Sequence, residues 1–444
     1  MDAEGGSEEV SEEEEAAGAT AMGPADALAA RLERERLRAA GTLRRQIAGG
    51  LVALELASEA TRVMKGHRLT PTCVALSADE RWAFSGGKDD AVFQYDVEAG
   101  RRVAALSPLW NRKQGHQAHE KEVLALAVSS DGRFLAAGGR DKEIRIWDLR
   151  AGKSGSSSGS HKPVKTFAGH RDAVAALAFR ADSHALYSGS WDRTLKHWTL
   201  DGMAYVETLF GHQAEINGMD AWRRERPVTC GRDRTVRVWK LVDESHMLLR
   251  CPQPEPGQAQ ANKGPPMMGG SLDCVAMCAE DAYLTGGEDG ALALWSLNRK
   301  KPTAVVGAAH GGGNHWIASV AALKGSDLVA SGSDDGFLRL WQASLTPQGH
   351  GSSLKPVMAL PCPGYVNGLA FGRSGELLVA AVGKEHRLGR WAPVKEARNG
   401  VLVVRLPEQE RGIGEDDDSD GSGSEEEEEE SEESEEEEES EEED

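Results

Sequence analysis

The chain reads as an all-β protein, a seven-bladed β-propeller, and three observations predict it. A unit of three short strands recurs through the middle of the sequence, an acidic residue stands six positions before an aromatic seven times over, and one further strand-like segment separates successive units. Self-similarity at a period of roughly forty to fifty residues marks blades arranged around an axis.

The clearest unit opens at Gly169-His170 and continues as AVAALAFR (173–180), LYSGSWD (186–192) and TLKHW, ending at Trp198. Alternation with period two between turn-forming residues makes these three short antiparallel strands. The acidic and aromatic pair recurs as Asp89/Tyr95, Asp141/Trp147, Asp192/Trp198, Asp233/Trp239, Asp289/Trp295, Asp335/Trp341 and Glu385/Trp391, with aromatics 52, 51, 41, 56, 46 and 50 residues apart. Insertions at 152–160, 252–270, 309–315 and 344–353 lengthen the intervals, and long surface loops add little closure entropy. Fourth strands are expected at 101–106, 163–168, 205–210, 246–250, 302–306 and 356–360, with 61–65 and 401–406 as two candidates for closing the ring. A loose apolar stripe of Leu28, Leu32, Ala39, Leu43 and Ile47 predicts a short N-terminal helix. The expected organisation is an acidic disordered tail over 1–25, a helical segment over 26–60, the propeller over 61–406 and a second acidic disordered tail over 407–444.

Charge is divided along the chain. The formal net charge is -21, yet residues 415–444 hold 22 acidic residues and residues 1–15 hold 8, with no Lys or Arg in either. Without them the remaining 42 acidic residues face 51 basic ones, so residues 16–414 carry +9. A mildly basic body suits phosphates, whereas the tails repel them. Ser431, Ser434 and Ser440 lie inside Glu runs and read as solvated tail residues, with acidophilic-kinase sites or a histone-like decoy as the alternative. Six scattered cysteines make no disulfide framework, and no apolar stretch approaches the length of a membrane span, so a soluble protein of a reducing compartment is expected.

Three sets of histidine, hydroxyl and carboxylate resemble a hydrolase triad: His67/Ser85/Asp89, His170/Ser188/Asp192 and His212/Thr229/Asp233. A catalytic triad is needed once, beside an oxyanion hole. These recur, each with an aromatic six residues beyond the Asp: Tyr95, Trp198 and Trp239. The pattern resembles WD-repeat proteins, in which such groups tie the strands of a blade together. Other blades erode it: Ala137 stands at the hydroxyl of the second, the fifth has no His, and Ala381 and Glu385 stand in the seventh. A structural network tolerates such losses at about 1–3 kcal/mol each, whereas an active site does not. Cys274/Cys278 and His116/His119 lack a partner pair at zinc spacing. No enzyme activity, metal, cofactor or small-molecule substrate is expected.

The residue before each carboxylate belongs to the turn between second and third strands, on the rim that carries the Gly-His turns. Around the ring these residues are Lys88, Arg140, Trp191, Arg232, Glu288, Asp334 and Lys384. Because the seventh blade adjoins the first, Lys384, Lys88, Arg140, Trp191 and Arg232 are expected to form an unbroken arc, with Arg68, Lys142, Arg171, Arg193 and Arg234 close by. Cations interleaved with an aromatic suit RNA, the former on phosphates and the latter stacking a base. A protein with an acidic face is the alternative ligand.

Beyond the repeat itself, GHRDAVAALAFR (169–180), YVETLFGHQ (205–213), GRDRTVRVWK (231–240), HWIASVAAL (315–323) and GKEHRLGRWAPVKEARN (383–399) resemble the U3 small nucleolar RNA-interacting WD-repeat family, from about residue 28 to about residue 406. The resemblance implies a non-catalytic subunit of the U3 box C/D ribonucleoprotein, nuclear and nucleolar, acting in the small-subunit processome during maturation of 18S ribosomal RNA. It implies U3 small nucleolar RNA (the B/C motif), a kink-turn-binding protein and other box C/D core proteins as partners. It adds weight to Lys384, Glu385, His386, Arg387 and Arg390 as RNA or partner contacts. Two departures stand out: basic runs are confined to RLERERLR (31–38) and Arg44-Arg45, and the acidic C-terminal tail has no counterpart in the resemblance. The alternative function is a protein-only WD-repeat scaffold for acidic peptides or basic nuclear proteins.

Overall fold

The computed structural model describes residues 32, 45–51, 61–106, 119–150, 162–251, 269–312, 315–345 and 352–407. Seven four-stranded antiparallel sheets form a closed ring, six of them built from consecutive strands. The innermost strands are Pro71–Leu76, Val123–Val128, Val174–Phe179, Ile216–Asp220, Leu272–Ala279, Ser319–Ala322 and Tyr365–Phe371.

The apolar runs of the second and third strands make this arrangement stable because both faces of each blade are covered by neighbours. Among the described residues the buried apolar side chains fall into clusters, one at each blade-to-blade contact. One joins Phe84 and Val92 of blade 1 to Val123 and Trp147 of blade 2. Others join blades 2 and 3, 3 and 4, 4 and 5, 5 and 6, 6 and 7, and 7 and 1. The core is therefore a ring of interfaces, and each blade depends on two neighbours.

Close approach between blades has a sequence cause. A Cβ on Gly138 would lie 2.7 Å from Cγ1 of Val174 in the next blade, and one on Gly189 would lie 2.8 Å from Cγ2 of Ile216. Six of the seven inner strands also carry a bulge in their first residues, for example between Val123 and Ala125, which turns the chain into the channel wall.

Ring closure settles the competition between the two terminal segments: both are used, in the same blade. Gly400–Arg405 is the third strand of blade 7, paired with Leu377–Gly383, and Thr61–Met64 is the fourth, with Thr61 opposite Val404 and Met64 opposite Val401. This corrects the expected seventh copy of the acidic and aromatic pair. Glu385 and Trp391 lie in the connection 384–399 between second and third strands, and the third strand carries no tryptophan. Register also places Ala380, opposite Leu369, where other blades carry the hydroxyl, so Ala381 is one position off.

The helical expectation for 26–60 is met at one turn, Ala48–Leu51; Leu28, Ala39 and Leu43 lie outside the described residues. Ile47, Ala48 and Leu51 join the apolar cluster between blades 6 and 7. Asp327 caps that turn, accepting from the Ile47 and Ala48 amides at 2.7 and 3.1 Å. Both tails, 1–25 and 408–444, lie outside the described residues. No helix among the described residues is long and apolar enough to cross a membrane.

Gly138→Ala should destabilise the protein by about 1–3 kcal/mol through overpacking against Val174. In urea denaturation, Gly138→Ala/Val174→Ala should lose less than the sum of its two single variants; strict additivity would remove the proposed contact.

Candidate nucleic-acid interface

The three predicted sets assemble as hydrogen-bonded ties. Nδ1 of His170 donates to Oδ2 of Asp192 at 2.8 Å, its Nε2 accepts from Oγ of Ser188 at 2.7 Å, and Nε1 of Trp198 donates to the same Oγ at 2.8 Å. The partners assign this polarity, since a carboxylate only accepts and an indole only donates. His212, Thr229, Asp233 and Trp239 repeat it at 2.9, 2.7 and 2.9 Å. In blade 1, His67 meets Asp89 at 2.8 Å and Ser85 at 2.7 Å, with the Tyr95 hydroxyl 3.4 Å from Ser85. Each carboxylate also accepts the amide after the histidine: Oδ2 of Asp192 takes that of Arg171 at 2.9 Å and Oδ2 of Asp233 that of Gln213 at 3.0 Å, on the oxygen that meets the histidine, whereas Asp89 uses its other oxygen for Arg68 at 2.9 Å. Buried polar atoms are thereby paired across the strands of a blade, which makes the triads structural.

Two further blades carry a tie that the sequence pattern did not mark. His310, inside the 309–315 insertion, meets Ser331 at 2.8 Å and Asp335 at 3.0 Å, and Trp341 donates to Ser331 at 2.8 Å. The insertion sets histidine and hydroxyl 21 positions apart in place of 18. His119, read from sequence as a metal candidate, holds Asp141 at 2.8 Å, and Arg145 reaches the same carboxylate where Ala137 supplies no hydroxyl. No group of metal-ligating side chains is assembled among the described residues. All six cysteines are buried and none is in a disulfide, and burial pushes up the thiols of Cys73, Cys230, Cys251, Cys274 and Cys362, that of Cys73 to about 11.

Burial pushes the tie carboxyls upward, yet the hydrogen bonds they accept from the histidine and from neighbouring amides and hydroxyls outweigh it. Asp233 ends at about 2 through His212, Thr235 and the Gln213 amide, and Asp89, Asp141, Asp192 and Asp335 are lowered in the same way.

On the rim that carries these ties, residues 384–399 fold over the mouth of the central channel. Arg387 donates to the Asn217 carbonyl at 2.7 Å through Nη2, and its amide to Oδ1 of Asn367 at 2.8 Å. Lys88 donates from Nζ to Oε2 of Glu385 at 3.0 Å and to the Gly389 carbonyl at 2.6 Å. His386 stacks on Trp316 with ring centroids 4.1 Å apart and interplanar angle 21°. Burial, with Arg387 and Lys88 nearby, holds its imidazole down at about 3, so it is neutral within the cap.

The expected surface arc is corrected by this cap. Lys88 is 5% and His386 1% exposed, and Arg387 is half-buried with its guanidinium in the channel mouth. The cause is the long connection in blade 7: its Glu385 and Gly389 carbonyl hold Lys88, while Arg387 is drawn to the Asn217 carbonyl and His386 to the face of Trp316. Arg140 is partly engaged, with Nε 3.2 Å from Glu122, Nη2 3.4 Å from the Leu388 carbonyl and its guanidinium 5.3 Å over the Trp191 ring. Lys384, Arg171 and Arg232 are exposed, as are Arg68, Lys142, Arg193, Arg234 and Arg390. Trp191 is partly exposed among them. Trp316 escaped the sequence reading because it sits in a connection, outside the strand pattern, and Trp391, read there as the aromatic of a third strand, belongs to the connection 384–399.

Fold and ties together define a WD-repeat β-propeller. A family model described as WD domain, G-beta repeat matches residues 58–96, 110–148, 161–199, 203–240 and 305–342. The fifth and seventh blades, without a histidine tie or with a displaced third strand, fall largely outside these matches. U3 small nucleolar RNA-interacting protein 2 of Homo sapiens is 40% identical over 405 residues, 89% of this chain and 78% of that protein. U3 snoRNP-associated protein-like EMB2271 of Arabidopsis thaliana is 36% identical over 401 residues, 85% of this chain and 78% of that protein. The solved structure of U3-55K matches with a TM-score of 0.70 at 40% identity, over 79% of this chain and 100% of that one. The chain belongs to the U3 small nucleolar RNA-interacting WD-repeat family, as the segments quoted from its sequence imply.

Because the folded pKa of Asp233 is depressed, its tie stabilises in full above the ordinary carboxylate range near pH 4 and is lost as pH falls through about 2. Asp233→Asn should therefore cost stability at neutral pH and flatten the fall in unfolding free energy between about pH 4 and pH 2, by about 1–2 kcal/mol. Lys88→Met should speed amide exchange across 385–390 without altering strands of blades 3 and 4, whereas Lys384→Met should leave that exchange unchanged. Equal protection in both variants would refute the anchoring role.

Proposed function

We propose that this protein is a non-catalytic, RNA-binding subunit of the U3 box C/D small nucleolar ribonucleoprotein, acting in the nucleolus in pre-ribosomal RNA processing toward 18S RNA. The observation that carries this reading is the set of exposed cations Lys384, Arg171 and Arg232, with Arg140 and Trp191 among them, on one rim of a rigid ring. Cations placed by turns of different blades follow a phosphate backbone, and an indole between them offers a stacking face. Named relatives support the same direction: one is a U3 small nucleolar RNA-interacting protein, and another, 29% identical, is Ribosomal RNA-processing protein 9 of Saccharomyces cerevisiae. The B/C motif of U3 RNA is the proposed binding element, beside a kink-turn-binding protein, other box C/D core proteins and the small-subunit processome.

Lys88, His386 and Arg387 act in this reading as supports, because they hold the 384–399 connection in place beside Lys384. The repeated ties keep the rim rigid, so little ordering is needed on binding. Their recurrence also leaves no single set placed as a catalytic triad.

Affinity for a U3 B/C fragment should fall steeply with salt, and reversing charge at Arg140, Arg171, Arg232 and Lys384 together should weaken binding and flatten that slope by about one unit per lost phosphate contact. Undiminished binding by the fourfold variant would remove this arc from the mechanism. Recovery of protein partners after complete ribonuclease treatment, with no U3 RNA in the untreated sample, would favour the protein-only scaffold.

A further inference from the structure

The rim is electrically divided, and beside the cationic arc lies a cavity that shares only Trp191 and Arg232 with the RNA reading. Between blades 3 to 6 and the 384–399 connection lies a cavity of about 210 Å³. Trp191, Trp316 and Trp391 line it together with Glu215, Asp273 and Glu288. The three indoles come from different parts of the chain: the turn of blade 3, the entry to blade 6 and the channel cap.

Each wall is held in place. Trp316 donates through Nε1 to Oδ2 of Asp273, and Asp273 accepts from Nδ2 of Asn217 at 2.7 Å on its other oxygen. Trp391 stacks against Trp316 with centroids 5.7 Å apart at 30°, and it is 54% exposed. Glu288 is exposed at the edge and accepts from the Ser271 hydroxyl at 3.1 Å. Trp191 already carries a guanidinium over its ring, that of Arg140 at 5.3 Å.

Arg232 is the one cation among the lining residues, and its side chain is 68% exposed and leans toward Glu215 at 3.8 Å. The two accessible carboxylates, Glu215 and Glu288, with one guanidinium and Asp273 buried behind them, leave the cavity hostile to a phosphate. Indole faces beside carboxylates attract an organic cation, because the ring quadrupole and the negative charge act in the same sense. The volume is below the roughly 300–1,000 Å³ of sites for drug-sized ligands, and it suits one side chain.

We propose that this cavity, formed by Trp191, Trp316 and Trp391 with Asp273, Glu288 and Glu215, takes the cationic side chain of a lysine or arginine from a protein partner. The rim then binds two ligands of opposite charge, an anionic RNA over blades 7 to 4 and a basic protein segment over blades 4 to 6. A nucleobase is disfavoured here because its attached phosphate would meet Glu288 and Glu215. The inference rests on Trp316, Trp391, Asp273 and Glu288, which the RNA reading leaves unassigned, and it shares the Trp191 wall with that reading.

The test uses the full chain labelled with 5-fluorotryptophan, its resonances assigned by single Trp→Phe variants. Three probes are titrated: N-acetyl-arginine methylamide, N-acetyl-trimethyllysine methylamide, and the neutral isostere of the latter with carbon in place of the quaternary nitrogen. Both cations should shift the Trp191, Trp316 and Trp391 resonances saturably while leaving those of Trp198 and Trp239 in place, and the isostere should not. Glu288→Gln and Trp391→Phe should weaken the cations about three- to thirty-fold. Equal response to the isostere, or no saturable shift, overturns the proposal. Uridine monophosphate moving the same three resonances, together with loss of U3 fragment binding in Trp391→Phe, overturns it by assigning the cavity to RNA. Unchanged U3 fragment binding in Glu288→Gln, with weakened cation binding, supports two separate ligands.

Discussion

Closure of the ring is the interaction on which the rest of the molecule depends. Each blade buries its apolar faces against two neighbours, so an open array would leave two faces in water. The last contact is made by pairing Thr61–Met64 with Gly400–Arg405, segments from opposite ends of the described propeller. Met64 and Val401 then enter the apolar cluster between blades 7 and 1, which joins sheet pairing and burial in one step. The turn at Ala48–Leu51 adds a second N-terminal anchor one interface away.

That closure also explains why blade 7 differs from the others. With its fourth strand supplied from elsewhere, its third strand follows a connection long enough to cross the channel mouth. Lys88, Asn367 and Asn217 then serve as fixed points for the connection, and Arg387 turns a cation into the channel where a surface contact was expected. Repetition of the ties in other blades provides the rigidity against which this one irregular segment is held. Buried polar groups make such a segment specific, because each unpaired partner would carry a desolvation penalty of about 1–3 kcal/mol.

Function in this fold follows from small differences among equivalent turns. At the same structural level the turns present Arg140, Trp191 and Arg232 on one side and Glu288 and Asp334 on the other. A closed ring keeps these charges at fixed separations, so attraction for one ligand is not relaxed away when a second binds beside it. The acidic sequence ends contribute most of the formal charge, and the described rim has its own local balance.

By itself the sequence determined the blade count, the strand positions and the ties in three blades, because period-two alternation and the spacing from Asp192 to Trp198 are local properties of the chain. The family, too, was legible, since segments such as 383–399 are distinctive as written. Tertiary structure decided what depends on contacts between distant residues. The pairing of 61–64 with 401–404 moved Glu385 and Trp391 out of a strand, and an insertion hid His310 from any fixed spacing. Burial of Lys88 and His386 was equally invisible, because a charged residue in a turn reads as exposed until another segment folds over it. The tryptophan cavity belongs to the same class: Trp191, Trp316 and Trp391 are scattered in the chain and meet only because the ring closes and the connection crosses its mouth.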